Sequence, residues 1–164
     1  MKATVYFTRE LTPQAVVTLY QKLGVQLPGK VAVKVHSGEK GNQNFLRPQF
    51  WQPMVEAVHG TIVECNTAYG DAAGGVRDNS EAHWKLLEEH GWTKYFDVDL
   101  MDAEGPDVVW PIPNGKVLKE NHVGKNILRY DSMLVLAHFK GHPMGGYGGV
   151  GHRLWENDVA GVLF

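Results

Sequence analysis

The sequence contains one cysteine, Cys65, in 164 residues. A single thiol excludes an intramolecular disulfide, and it excludes a four-cysteine iron–sulfur cluster assembled within this chain. No apolar run approaches the roughly 20 residues of a membrane-spanning helix. The opening "MKATVYFTRE" has neither a long apolar stretch nor a small-residue cleavage site. The expected location is therefore the cytoplasm, with no membrane contact. An excess of one charge is missing too: 16 basic and 18 acidic residues give a formal net charge of -2. The two signs are mixed along the chain, so no electrostatic footprint for nucleic acid stands out. Internal repeats and low-complexity linkers are also absent.

What is present is an ordinary globular composition, 43% hydrophobic and 21% charged, in a chain long enough for one domain with a real core. A single domain over 1–164 is expected. The stretch "ATVYFT" (3–8) alternates β-branched and aromatic residues and reads as a strand. Thr12 and Pro13 then offer a helix cap and a first-turn proline before "QAVVTLYQKLG", with Gly24 as the stop. The pattern repeats. "GKVAVKVHSG" is a β-rich run, and "RPQFWQPMVEAVHG" is a helix in which Pro53 has to occupy the first turn or break it. "TIVECNT" is a strand, and "NSEAHWKLLEEHG" is a helix capped by Asn79 or Ser80 and ended by Gly91. "FDVDL" and "SMLVLAHF" are further strands, and the irregular stretch 102–124 is a long excursion or hairpin. Strand and helix alternating in this way predict a layered α/β fold, a mostly parallel sheet with helices on both faces.

Each expected strand hands over at its C-terminal end to a segment rich in glycine and functional side chains. The second strand leads to Lys34, His36, Glu39 and Lys40, and the third to Glu64, Cys65, Asn66 and Asp71. The fourth leads to Asp97, Asp99, Asp102 and Glu104, and the last to "HFKGHPMGGYGGVGH". Ligands of open parallel sheets bind outside the carboxyl ends of the strands, so these loops are expected to share one rim. Imidazoles at His36, His138 and His142, with Glu39 or Asp102, would suit zinc, iron or nickel if they converge. Lys34 and Lys140, with backbone N–H groups at Gly145 and Gly146, suit a phosphate or carboxylate. The glycine tract is neither a nucleotide P-loop nor a dinucleotide fingerprint, because it lacks the GK[ST] ending and no clear helix follows. Cys65 and Asp102 are the catalytic candidates, as a thiol nucleophile and as an acid or base. Tyr147, flanked by glycines, is the one aromatic residue set apart from the expected core.

Several segments together, "KVHSGEKGNQNFLRPQF", "ECNTAYG", "HWKLLEEHGW", "DLMDAEG", "LKENHVGKN" and above all "YDSMLVLAHFKGHPMGGYGG", resemble the family catalogued as domain of unknown function 362. Its members are often labelled iron–sulfur-center proteins. The likeness runs in order from about Lys2 to Gly149, and the last motif is the most specific. The resemblance implies a redox neighbourhood, an iron–sulfur or ferredoxin partner, and a longer architecture of which this domain is one part. A domain taken from a larger sheet would leave an apolar edge, from which a homo-oligomer is expected.

The leading expectation is a domain that binds a divalent metal or a small anionic ligand at the strand-end rim, linked to redox chemistry. The alternative, from a different class, is a noncatalytic binding or assembly module that oligomerises through its exposed edge.

Overall fold

The computed structural model describes residues 4–67, 70, 75–138, 140–142 and 146–148. Four parallel strands form the centre: β1 (Val31–Lys34), β2 (Thr61–Glu64), β3 (Val98–Leu100) and β6 (Ser132–Val135), in the spatial order β3-β2-β1-β6. Between β3 and β6 the chain makes an antiparallel hairpin from β4 (Val108–Pro111) and β5 (Glu120–Val123), then a 3-10 helix, Lys125–Arg129. A second antiparallel pair, β7 (Lys140–His142) and β8 (Gly146–Gly148), follows β6.

Local chemistry sets the helices. The Thr12 hydroxyl accepts from Ala15 N at 3.1 Å, Pro13 begins α1 (Pro13–Leu23), and Gly24 closes it at φ 65. In α2 (Pro48–Ala57) Pro53 is the sixth residue, and it neither begins the helix nor breaks it. Its ring removes the bond to the carbonyl of Gln49, an exposed residue whose carbonyl can turn to water, while Trp51, Met54 and Val55 hold the other side in the core. Asn79 caps α3 (Ser80–Glu89) through Ala82 N, and Gly91 at φ 80 turns the chain into the short α4 (Trp92–Tyr95).

The expected first strand does not form: residues 4–8 are irregular, with Val5 and Phe7 83% and 82% exposed. Alternation suits a residue run to a sheet, but a strand exists only when a neighbour takes its hydrogen bonds.

The sheet is covered unequally. Val31, Val33, Ile62, Leu100 and Leu134 meet Val17 of α1, Trp51, Met54 and Val55 of α2, Leu87 of α3 and Trp92 of α4. On the other face Ala32, Val63, Met133 and Val135 meet Met101, Val123 of β5 and Ile127 of the 3-10 helix. The layered α/β fold with a parallel sheet therefore stands, with α-helices on one face and a 3-10 helix and hairpin on the other. The division follows from crossover handedness. From β1 to β2 to β3 the chain steps one way; the return to β6 steps the other way, and a right-handed return has to pass over the opposite face.

Candidate functional site

All four strands of the parallel sheet end on one rim, and the buried polar residues gather there. Lys34 ends β1 and Glu64 ends β2, one strand over. Alternation puts Lys34 on the face of Ala32, but its long stem carries the ammonium over the strand tip. Nζ donates to Glu64 Oε2 at 2.5 Å and to Val35 O at 3.0 Å. Glu64 Oε1 accepts from Ser37 N at 2.8 Å and lies 3.8 Å from Arg77 Nη1. Arg77 turns its Nε and Nη2 to Glu39 Oε1, the first at 2.7 Å. Two cations thus face two carboxylates, with Lys34 4% and Glu64 1% exposed. Burial alone would raise the Glu64 pKa, but Lys34, Arg77 and the imidazoles of His83 and His36 outweigh it and hold the carboxyl well below its ordinary value.

A second polar layer ties the loops to one another. His83, on the buried face of α3 and 0% exposed, sits 3.4 Å from Ser37 Oγ through Nε2 and 3.1 Å from Asn66 Oδ1 through Nδ1. Asn66 Nδ2 donates to Ser80 Oγ at 2.8 Å, and Ser80 Oγ donates to Ala103 O at 2.9 Å. The Asn66 backbone N–H donates to both oxygens of Asp102, at 2.9 and 3.1 Å. The Ser37 carbonyl accepts from His90 Nδ1 at 2.8 Å and Trp92 Nε1 at 3.0 Å. Burial pushes the His83 imidazole down to about 4, with Arg77 and Lys34 adding to the effect and Glu64 opposing it. Burial also raises the Asp102 carboxyl, against the backbone N–H of Asn66. Ser37, His83 and Asn66 occur in the order of a nucleophile triad. Ser37 is 0% exposed, however, so a substrate has no approach to its hydroxyl.

The sequence candidates divide clearly. Lys34 and Asp102 lie in this cluster. His36 is half-buried just beyond the β1 tip and close enough to Glu64 to stabilise its charge. His138 is half-buried just beyond β6, and the two chains are still bonded there, with Leu136 N donating to Lys34 O at 2.9 Å. Lys140 and His142 begin and end β7, where the structure describes their backbone, and Gly146 opens β8 at φ 70. The glycine-histidine tract, expected as a loop, therefore pairs with itself as a short hairpin over these residues. Gly145 and Asp71 lie outside the described residues. Among the described residues no group of three or more His, Cys, Asp and Glu side chains is placed to hold a metal ion.

Cys65 is 7% exposed, and burial pushes its thiol well above the ordinary value, so it stays protonated. A four-cysteine cluster does not fit this donor set. Arg77 and His83 escaped the sequence reading. His83 was findable, since positions 83, 86 and 87 share one helix face and Leu86 and Leu87 are buried. Nothing around Arg77 marks it, because its partners lie 38 and 13 residues away along the chain.

The fold and rim define an open parallel α/β domain with a polar site at its strand ends. The chain belongs to the family described as Domain of unknown function (DUF362), whose sequence model matches residues 31–153. No curated protein and no solved structure matches it.

Proposed function

We propose that this domain binds a small anionic ligand, a carboxylate or a phosphate, in the crevice between the tips of β1 and β6. One observation carries the reading: the chain reverses its direction of travel across the sheet between these two strands. A crevice opens at such a switch point, and it is where open α/β sheets take their ligands. The loops that flank it carry His36, His138, Lys140 and Gly146. Lys34 and Arg77 are neutralised by Glu64 and Glu39, so their role is to set the rim before the ligand arrives. Preorganised loops lose less entropy on binding. Lys140 is the residue assigned to clamp the anion, with backbone N–H groups of the glycine tract as further donors.

The test is calorimetric titration with inorganic phosphate and with a small dicarboxylate. Lys140→Ala should weaken binding by about tenfold or more, the scale of one lost charge-assisted hydrogen bond. If neither probe binds the native protein, or if Lys140→Ala binds as the native protein does, the reading fails.

A metal ion held by His36, His138 and His142 is the second reading. It is favoured by the placement of His36 and His138 beyond the tips of adjacent strands. Elemental analysis decides it: His138→Ala and His142→Ala should lose metal that the native protein retains. A metal-free native protein whose zinc binding both variants reproduce would exclude it.

A further inference from the structure

The hydrogen bonds around His83 run in one direction. Ser80 Oγ gives its proton to Ala103 O, so it can only accept from Asn66 Nδ2. The Asn66 amide is thereby oriented with Oδ1 toward His83, and His83 Nδ1 has to be the donor. The neutral ring then leaves Nε2 as an acceptor facing the Ser37 hydroxyl. The chain Ser37, His83, Asn66, Ser80, Ala103 joins the loops that follow β1, β2 and β3 to α3, and both ring nitrogens of His83 are used in it.

We infer that this chain is an acid-operated latch, which holds the three rim loops together while His83 is neutral and releases them when Nε2 takes up a proton. Protonation turns Nε2 from acceptor to donor, so the Ser37 hydroxyl proton loses its acceptor. It also places a third cation in a cluster that already holds Lys34 from β1 and Arg77 from the segment before α3. Glu64 from β2 is the facing carboxylate, and it is already engaged by both cations. His36 adds to the positive side near Glu64, His90 is bound to the Ser37 carbonyl, and Asp102 is bound to the backbone N–H of Asn66. The residue that meets Nδ1 is Asn66, an amide that offers no charge to balance an imidazolium. A carboxylate there would hold the charged ring in place. The imidazolium instead gains by reaching water, and it can do so only if Ser37 and Asn66 separate. The latch concerns the loops themselves and stands apart from the identity of any ligand.

Nitrogen NMR of the histidine rings and amide hydrogen exchange, corrected for intrinsic rates, test it on the unliganded native chain. At neutral pH His83 should carry its proton on Nδ1. On acidification toward about 4, where His83 titrates, the Ser37 and Thr67 amides should lose protection by about tenfold or more while Val33 in β1 keeps its own. Asn66→Asp supplies the carboxylate that holds the charged ring, so it should move the midpoint of that loss down by about one pH unit or more. A proton on Nε2 at neutral pH, rim and strand amides released together, or a midpoint that Asn66→Asp leaves in place would each overturn the latch. If Asn66→Asp does not fold, the tautomer and the difference between Ser37 and Val33 decide on the native protein.

Discussion

Lys34 and Glu64 illustrate what a buried charge demands of its surroundings. Removing two such groups from water costs several kcal/mol each, and only close pairing with further hydrogen bonds recovers it. Glu64 has that company in Lys34, Ser37 N and Arg77. Glu64→Gln keeps the shape but strands the Lys34 ammonium, so unfolding in urea should show a loss of about 3–5 kcal/mol. His83 makes a separate contribution whose sign is fixed by its neutrality in the fold. Its pKa falls from 6.5 to about 4, so the unfolded chain binds the extra proton first. The stability from His83 is complete above pH 6.5 and is lost as pH falls through about 4, amounting to about 3 kcal/mol. Glu64, also depressed, loses its share in the same direction at still lower pH. Asp102, raised by burial, works the other way and offsets part of the loss. Urea unfolding at successive pH values checks this, and His83→Gln should flatten the slope between pH 6.5 and about 4.

At the scale of elements, α3 carries His83 into the rim, and its start is set by Asn79. Asn79→Ala removes the bond to Ala82 N and should lower stability by about 1 kcal/mol in thermal or urea unfolding. The return crossover depends on a close approach. A Cβ at Gly124 would run into Met101 O and the Asp102 backbone, so the segment after β5 lies directly against the end of β3. Gly124→Ala should cost about 1–3 kcal/mol and shift the amide resonance of Asn66, which bonds the Asp102 carboxylate. Caps made α1 and α3 readable to within a residue or so, because a cap is settled by neighbours three positions apart. The run at 3–8 misled for the opposite reason: whether a strand forms is decided by a partner far along the chain.

For the whole molecule, strand order and burial decide how the one thiol behaves. Cys65 lies in the core layer beneath the 3-10 helix, beside Val63 and Met101, and reaches reagent only when the fold opens. Its alkylation at neutral pH should be slow and should accelerate with urea in step with global unfolding. Fast alkylation of the native protein would show that the rim around β2 opens independently of the core.

The residue order alone established the α/β class, the parallel sheet, the strand ends as the place where polar residues gather, and the exclusion of a four-cysteine cluster within the chain. Each of these depends on period, capping or composition, which are properties of neighbouring residues or of simple counts. Only the tertiary structure decided that Lys34 meets Glu64, 30 residues on, and that Ser37 meets His83, 46 residues on. Those meetings depend on β2 lying beside β1 and on α3 lying over the sheet. Long-range packing selects these arrangements because they bury the apolar faces together, and no local pattern encodes them.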